Sequence, residues 1–342
     1  MHCSDCYPIS PMEDEGMMKV RPVIPCLENA MQGAGFHCDI MNGSEYVIPY
    51  RSRDQILSIV NLLEEWENAE SITVCLKGKH RHEPAERWVS LSQLRVRIVN
   101  HALIDVIINK EFCSYMQPIV NSAEHIVGFE FLLRPIPGGP CFQPYTLFEV
   151  ARGSGYHSVL DRAALVSAIE SSRILPDGMK RFINFLPSTI NNPKYCLAHS
   201  FDAIQRSGLR PEDFVFEVVE TEMIRDIGHL SAIFSEYRQH GVHVALDDVG
   251  SGFATLEVME RLRPDYVKID RDLISLCDKE RSKQESIREI VEKSLRFGGQ
   301  VLAEGIERRE EFEFCRGLGI GLAQGYLFGR PMPEPPPRFM AI

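Results

Sequence analysis

The sequence predicts an α/β protein in which a TIM-like (β/α)8 barrel follows a small N-terminal α/β module. From about residue 114 onward, short β-rich apolar runs alternate with stretches of helical spacing, which is typical of parallel sheet. Nearly every run has a polar side chain near its C-terminal end, where barrels gather their functional groups. The first hundred or so residues follow a different pattern. A chain of 342 residues accommodates one large and one smaller domain.

The N-terminal module is predicted to contain a hairpin, a helix and a strand. The segment "HCDIMNGSEYVIPY" has Asn42-Gly43 as a hairpin turn signal. The amphipathic segment "RDQILSIVNLLEEWENAE" follows, and "SITVCLKG" is predicted to be a strand. One further helix should lead into the large domain, with apolar positions Leu91, Leu94, Ile98, Ala102 and Val106. We therefore assign residues 1–106 to a sensory or regulatory module that ends in a linker helix, and residues 107–342 to the barrel.

The barrel is predicted from six apolar runs and the helices between them. The runs are "FINFLP", "FVFEVVE", "VHVALDD", "YVKID", "QVLAEGIE" and "LAQGYLFG". A stretch such as "LSAIFSEYRQHG" has helical spacing and ends on Gly241, as helices often do. Seven or so strands in roughly 230 residues suit a TIM-like barrel.

The polar residues near the ends of these runs are the candidate site. They are Asn184, Glu217, Glu220, Asp247, Asp248, Lys268, Asp270, Glu304, Glu307 and Gln324. Strand-end acids can instead cap the helices that follow them. Capping explains one or two members of this set, but it explains poorly a set that includes Lys and Gln.

The neighbouring acids in "VALDDVGSGF" pose a geometric question, because adjacent side chains of a regular strand point to opposite faces. We expect the strand to end between Asp247 and Asp248, with Gly250-Ser251-Gly252 supplying the freedom for the break. Two adjacent carboxylates beside Glu217 would repel each other unless divalent cations were bound. Oxygen ligands without His or Cys favour Mg²⁺ or Mn²⁺, and a pair of such ions is the arrangement that cleaves phosphoesters.

Composition and charge narrow the classes of function. The chain is 44% hydrophobic, and its net charge of −11 argues against a general nucleic-acid binder. No stretch has the apolar length of a membrane span, and the first residues do not resemble a signal peptide. Ten scattered cysteines are typical of reduced thiols in a cytoplasm. Cys3, Cys6, Cys26 and His37-Cys38 could supply a structural zinc site, although their spacing is irregular.

Seven segments in order resemble the EAL domain, the bacterial cyclic di-GMP phosphodiesterase family. They are "MQPIVNSAEHIVGFEFLLRP", "INFLP", "FEVVETE", "ALDDVGSGFATL", "LRPDYVKIDRDLI", "AEGIE" and "GLAQGYLFGRPMP". The name-giving triplet is Glu130-Phe131-Leu132, and the likeness spans roughly residues 114–334. The resemblance implies a TIM-like barrel of the EAL type, with an irregular first strand.

The resemblance also implies a role for each matching residue. One Mg²⁺ or Mn²⁺ would be held by Glu130, Asn184, Glu217 and Asp247, and a second by Asp247, Asp248 and Glu304. Water activated there would cleave one phosphodiester of cyclic di-GMP to linear pGpG, with Lys268 holding the water or neutralising charge; Glu130 and Glu304 are counted with it as catalytic. The substrate groove would be lined by Gln117, Arg134, Asp270, Glu307 and Gln324. Glu220 would anchor the loop after Asp248, a loop that is associated with dimerisation in the family.

Three departures from the family pattern are Phe131, Val219 and Phe253. None is a metal ligand, and Phe131 is expected to point away from the site and to affect packing more than chemistry. The expected protein is a cytoplasmic cyclic-guanylate-specific phosphodiesterase, a homodimer regulated by its N-terminal module. The alternative is a catalytically silent cyclic di-GMP receptor that acts through a protein partner. A more distant rival is a barrel enzyme for another phosphodiester.

Overall fold

The structure is a computed structural model that describes residues 11–80, 86–219, 226–250 and 254–336. The chain divides into two units. One comprises Met1–Glu111 and Pro137–Leu160, and the other comprises Phe112–Ile136 and Asp161–Ile342. The domain boundary between residues 106 and 107 stays a prediction.

A five-stranded antiparallel sheet forms the centre of the first unit. Its strands are β1 (Gly16–Arg21), β2 (Asp39–Met41), β3 (Glu45–Tyr50), β4 (Thr73–Gly78) and β5 (Val89–Ser90), in the order β2-β3-β1-β4-β5. Helices α1 (Leu27–Gly33) and α2 (Arg53–Glu64) follow β1 and β3. This is the split β-α-β arrangement with one added strand.

The predicted hairpin and helix of this unit are confirmed. Asn42 and Gly43 connect β2 to β3 with φ angles of 52° and 67°, the positive values that a tight hairpin turn requires. The residues on one face of α2 are all buried, namely Ile56, Ile59, Val60 and Leu63. The strand predicted at "SITVCLKG" is β4.

The single linker helix expected after residue 91 was wrong, because the structure has two helices there. These are α3 (Leu91–Val99) and α4 (His101–Asn109), and Asn100 between them has non-helical angles. The Asn100 side chain donates to the Val96 carbonyl at 3.1 Å, so it competes with the regular helical hydrogen bonds. The break turns Ala102 outward, and it is exposed although Leu91, Leu94, Ile98 and Val106 are buried. Helix α5 (Pro144–Ser154) also belongs to this unit.

The hypothetical zinc site stays a prediction, since Cys3 and Cys6 lie outside the described residues. Of the others, Cys26 is exposed and Cys38 is buried. The His37 ring lies 3.1 Å from the Asp39 carboxylate.

Eight strands close the barrel of the second unit, which confirms the predicted fold. They are β6 (Phe112–Asn121), β7 (Ile126–Pro135), β8 (Lys180–Phe185), β9 (Phe214–Val218), β10 (His243–Val249), β11 (Tyr266–Ile269), β12 (Gln300–Ala303) and β13 (Leu322–Gln324). The first strand, β6, is antiparallel to both of its neighbours, and the remaining neighbours pair in parallel.

Helices alternate with the parallel strands of the barrel. They are α6 (His157–Ser171), α7 (Pro193–Cys196), α8 (Ala198–Ser207), α9 (Ile227–Gln239), α10 (Leu256–Leu262), α11 (Arg271–Ile274), α12 (Arg281–Arg296) and α13 (Arg309–Gly317). Helix α9 ends as expected, with Gly241 at a φ of 79° and its amide donating to the Arg238 carbonyl. Among the helices that the structure describes, none is long and apolar enough to cross a membrane.

An apolar plug fills part of the barrel interior. It consists of Ile119, Phe182, Val215, Ala245, Tyr266 and Leu302, one residue from each of six strands. The alternate residues of the same strands, such as Ile183, Phe216 and Val244, join the larger apolar cluster with residues of the surrounding helices. Because side chains alternate along a strand, the next inward position beyond the plug lies two residues further on.

Candidate active site

The inward positions just beyond the apolar plug hold polar and ionisable side chains. On the parallel strands, Asn184, Glu217, Asp247, Lys268 and Glu304 each follow a plug residue by two positions. Strand β6 runs the opposite way, so Gln117 precedes Ile119 by two. In each strand the inward residues follow one another every two positions, and the last inward residue is polar where the one before it is apolar. The sequence therefore produces a polar layer at the C-terminal ends of the strands.

The Lys268 ammonium lies at the centre of this layer, surrounded by four carboxylates from four other strands or strand ends. Its Nζ is 2.5 Å from Glu217 Oε2, 2.8 Å from Glu304 Oε1 and 3.1 Å from Asp247 Oδ1. Glu130 Oε1 is 3.6 Å away. Lys268 and Glu217 are fully buried in side chain, with 1% and 0% exposed. We call these five residues the acid cluster.

Burial and charge perturb the titration of the acid cluster. Burial raises the pKa of Glu217 well above its usual range, and the nearby Lys268 ammonium only partly offsets this. Burial also raises the pKa of Glu304, and the Asp247 carboxylate adds to the effect. Burial alone would lower the pKa of Lys268, but the carboxylates of Asp247, Glu130, Glu217 and Glu304 outweigh it and raise that pKa well above its usual value. The lysine is thus held in its charged form.

Asp247 and Asp248 reach the same region through a bulge within the strand. The expectation that the strand ends between them was wrong, because β10 continues to Val249. Its register against β11 shifts between Leu246 and Val249, and Asp248 has a φ of 51°. The Asp248 amide donates to Asp247 Oδ1 at 2.9 Å. The extra residue of a bulge redirects a side chain, so both carboxylates can face one point while strand pairing resumes beyond them.

Three carboxylates have the spacing of a cation site. Oxygens of Asp247, Asp248 and Glu304 all lie within 4.8 Å of one another. In addition, Glu217 Oε1 is buried and has no hydrogen-bond partner among the described residues. Hard oxygen donors in this arrangement, with an unused buried lone pair beside them, fit a divalent cation of the Mg²⁺ or Mn²⁺ type.

Two amide side chains donate to the Glu130 carboxylate, and one of them, Gln324, also links it to Gln117 on the first strand. Gln324 Nε2 donates to Glu130 Oε2 at 2.5 Å and to Gln117 Oε1 at 3.1 Å. Asn184 Nδ2 donates to Glu130 Oε1 at 3.3 Å. The Glu130 carboxylate is therefore held by amide donors from β8 and β13, which fixes the direction of its oxygens.

A match to a family model covers residues 98–331, which is more than half of the chain, and the model describes the EAL domain. The chain belongs to the EAL domain family. This assignment confirms the resemblance of the seven sequence segments, and the EAL match includes every strand of the barrel.

Named relatives and solved structures agree with the EAL assignment. The cyclic di-GMP phosphodiesterase PdeL of Escherichia coli K12 is 25% identical over 260 residues, which are 73% of this chain and 70% of PdeL. The blue light- and temperature-regulated antirepressor BluF of the same strain is 27% identical over 249 residues, which are 72% of this chain and 60% of BluF. A standalone EAL protein from Vibrio cholerae O395, solved with cyclic di-GMP bound, superposes with a TM-score of 0.60 at 29% identity and covers 68% of this chain and 98% of its own.

Three of the groove residues expected from the EAL resemblance make their described contacts away from the acid cluster. Arg134 donates to the neighbouring Leu133 carbonyl at 2.7 Å. Asp270 caps helix α11 by accepting from the Asp272 amide at 2.7 Å, which is the capping role weighed for strand-end acids. Glu307 is exposed and pairs with Arg271 at 2.9 Å. The proposed loop anchor Glu220 and the departure at Phe253 lie outside the described residues.

Phe131, the middle residue of the EAL triplet, points away from the site, as expected. Phe131 is 3% exposed and belongs to the large apolar cluster outside the barrel, whereas its neighbour Glu130 faces the interior. The bulky replacement therefore changes packing between the strand and the helices.

Sequence reasoning missed Asp161, a buried carboxylate on α6. It accepts from the Leu186 amide at 3.1 Å and the Thr189 hydroxyl at 2.9 Å, and so it shapes the loop that follows Asn184. Strand-end position was the signal used for the site, and a helical residue does not give that signal. Glu311, another buried acid on a helix, was missed for the same reason.

Gly325, directly after Gln324, is expected to tolerate no side chain. A Cβ there would lie 2.0 Å from the Ile306 carbonyl oxygen and 2.3 Å from its nitrogen, both backbone atoms. Gly325→Ala should therefore destabilise the protein by about 1–3 kcal/mol and disturb Gln324, as measured by urea unfolding and by activity. Gly319→Ala is the matched control, because that glycine has a φ of +84° but nothing within 4 Å of the added Cβ. Equal effects of the two substitutions would contradict the close contact at Gly325.

Proposed function

We propose that this EAL protein is a metal-dependent phosphodiesterase that hydrolyses one phosphodiester of cyclic di-GMP to linear pGpG. The observation that supports it most directly is the polar layer itself. Acid, amide and lysine side chains from all eight strands or strand ends meet at one mouth of the barrel, and every residue that the EAL resemblance assigns to metal binding is present. PdeL, which is named a cyclic di-GMP phosphodiesterase, is 25% identical to this chain over 260 residues, which are 73% of it.

The ligand set divides between two cations, in our proposal. Glu130, Asn184, Glu217 and Asp247 would hold one, and Asp247, Asp248 and Glu304 would hold the other. Bound divalent cations would supply Lewis acidity at the phosphodiester and neutralise its charge. The chain needs such ions, since a net charge of −11 would otherwise repel an anionic dinucleotide.

Lys268 contributes a positive charge that does not depend on pH near neutrality. Because the surrounding carboxylates raise its pKa, it remains an ammonium and can donate hydrogen bonds to a water or to a phosphoryl oxygen. Glu217 and Asp247, at 2.5 and 3.1 Å, fix the position of Nζ. A preorganised donor of this kind costs little rearrangement when charge develops in the transition state.

The groove for the dinucleotide is proposed to include Gln117, Arg134, Asp270, Glu307 and Gln324. Gln324 has a free acceptor in its buried Oε1, which has no hydrogen-bond partner in the described parts of the chain. Arg134 offers a guanidinium suited to phosphate or to a guanine edge. We further propose a cytoplasmic homodimer whose N-terminal unit regulates turnover.

The deciding experiment incubates the full chain with cyclic di-GMP and either Mg²⁺ or Mn²⁺, and separates the products by chromatography. We expect pGpG in both cases, no product after chelation, and inhibition by Ca²⁺, whose larger and looser coordination shell fits a compact site badly. Binding of cyclic di-GMP without product under both metals would favour the rival receptor function, in which the chain acts through a protein partner. A panel of other phosphodiesters tests the more distant rival.

Affinity for Mn²⁺ should increase with pH. The raised pKa values of Glu217 and Glu304 mean that these carboxyls retain protons above their usual titration range. A cation requires the ionised form, so its binding releases those protons, and affinity is lost as the pH falls through the raised values. Calorimetry in buffers with different ionisation enthalpies measures the release directly. A Kd that does not change with pH while the protein stays folded would contradict the assignment of Glu217 and Glu304 as ligands.

A further inference from the structure

Glu311 is a buried carboxylate that the proposed reaction does not use. It lies in the first turn of helix α13, and only 3% of it is exposed. Its Oε1 accepts from the Leu276 amide at 2.9 Å. Its Oε2 accepts from the amides of Glu307 at 3.2 Å and Arg308 at 3.0 Å. One side chain thus satisfies three backbone donors, more than a helix cap requires.

The three amides belong to two loops of the barrel mouth. Glu307 and Arg308 lie in segment 304–308, which begins with Glu304 at the end of β12. Leu276 lies in segment 275–280, between α11 and α12, which follows the strand of Lys268. Glu311 therefore joins the loops that follow two neighbouring strands of the acid cluster.

Arg308 and Asp278 reinforce the same connection. The Arg308 guanidinium donates to both Asp278 oxygens, at 3.0 and 3.1 Å. Bidentate pairs of this kind restrict geometry more than a single contact does. We call Glu311, Arg308 and Asp278 the rim clamp.

Leu276, whose amide donates to Glu311, has a strained backbone conformation. Leu276 has a φ of 60°, a left-handed value that a branched side chain adopts only when its surroundings require it. The Leu276 amide donates a hydrogen bond to the Glu311 carboxylate.

The clamp reaches Glu304 through a short segment in which four backbone amides donate hydrogen bonds, those of Glu304, Ile306, Glu307 and Arg308. The Glu304 amide donates to the Ile269 carbonyl at 3.2 Å, and the Ile306 amide donates to the Gln324 carbonyl at 3.0 Å. Gly305 packs so closely on Arg271 that an added Cβ would lie 2.3 Å from its Cγ. The Glu307 amide, held by Glu311, is the next fixed point, three residues after Glu304.

We propose that Glu311 is a positioning residue for the phosphodiesterase reaction. Through the rim clamp it holds segment 304–308 so that the Glu304 carboxylate stays 2.8 Å from Lys268 and beside Asp247 and Asp248. This inference rests on the proposed function, since it assigns to Glu311 the placement of a proposed metal ligand.

The test compares two substitutions of nearly equal volume in the full chain. Glu311→Met retains the length of the side chain and removes both acceptors, whereas Glu311→Gln retains one acceptor oxygen for the amides of Glu307 and Arg308. Glu313→Gln on the same helix is the control, because Glu313 is exposed and its described ion pair is with Arg316, one turn along the same helix. The readouts are kcat and KM for cyclic di-GMP, and the Kd for Mn²⁺ by calorimetry, below the melting temperature of each variant.

We expect Glu311→Met to lower kcat at least tenfold with KM within about threefold, and to weaken Mn²⁺ binding. Glu311→Gln should restore kcat to within about threefold of the wild type, and the control should be unchanged. A Glu311→Met variant with wild-type kcat and Mn²⁺ affinity would overturn the proposal, whatever its melting temperature. Equal loss in the Met and Gln variants would overturn it too, since the acceptor would not be the relevant property.

Two provisions separate this proposal from protein instability and from the proposed function. If Glu311→Met does not fold, Asp278→Ala breaks the bidentate bond and leaves the helix cap intact; it should lower kcat at least threefold, and an unchanged kcat overturns the proposal. A wild-type chain that makes no pGpG counts against the proposed function only. In that case the Mn²⁺ affinities of the variants decide the positioning role.

Discussion

Asp247→Asn is expected to reduce turnover of cyclic di-GMP by about a thousandfold or more, because loss of an ionised ligand removes several kcal/mol of charge stabilisation. Asp247 is assigned to both cation sites and lies 3.1 Å from the Lys268 ammonium. Asparagine has the same shape and retains one oxygen, so the bulge and the strand should survive. The measurement is pGpG formation under saturating Mg²⁺ and, separately, Mn²⁺.

Asp202→Asn is the matched control for this substitution. Asp202 is exposed on helix α8, so the same chemical change there should leave turnover within a factor of about two. Circular dichroism and thermal unfolding establish that both variants fold. Full activity in Asp247→Asn would show that the ligand assignment is wrong.

Arg181→Ala is expected to destabilise the barrel by about 3–5 kcal/mol. The Arg181 side chain is fully buried, and its guanidinium lies 3.4 Å from Asp213. It also donates to the carbonyls of Met179 at 2.6 Å and Leu175 at 2.9 Å. Removing it leaves the buried Asp213 carboxylate without its cationic partner, although the Gly178 amide still donates to it at 2.9 Å, and it takes the guanidinium donor from the Leu175 and Met179 carbonyls. Urea unfolding measures the change.

Arg210→Ala tests whether burial is the reason. Arg210 pairs with Glu212 at 2.6 Å, but both side chains are about half exposed, at 53% and 50%. An exposed pair contributes only about 0–1 kcal/mol, so this variant should unfold nearly like the wild type. Similar losses in the two arginine variants would contradict the argument from burial. The described contacts of these two side chains do not include the acid cluster, so kcat well below the melting temperature should not change.

Much of the barrel could be predicted because its strands keep a period of two across a change of chemistry. In "FINFLP" the inward residues are Phe182 and Asn184, and in "FVFEVVE" they are Val215 and Glu217. An apolar residue followed two positions later by a polar one marks the step from plug to site. The position at the end of a strand then brings residues far apart in sequence to one mouth.

The rest depended on local geometry that residue types do not reveal. "DD" does not state whether a strand ends or bulges, because both solutions place two carboxylates on one side. Helices α3 and α4 are separate because the side-chain amide of Asn100 donates to the Val96 carbonyl. The apolar spacing does not show this break, since it continues on both sides of Asn100 as it would in one helix. Glu311 in "REEFEF" reads as an exposed helical acid, and only the loops folded over it bury it.

The apolar plug bears on how ligands would enter and leave the barrel. Since Phe182, Tyr266 and the other plug residues fill the barrel beneath the acid cluster, the substrate and product of the proposed reaction would have to use the same mouth of the barrel. In the proposed phosphodiesterase, pGpG would have to leave before the next cyclic di-GMP binds, so we expect accumulated pGpG to compete with the substrate and to slow turnover.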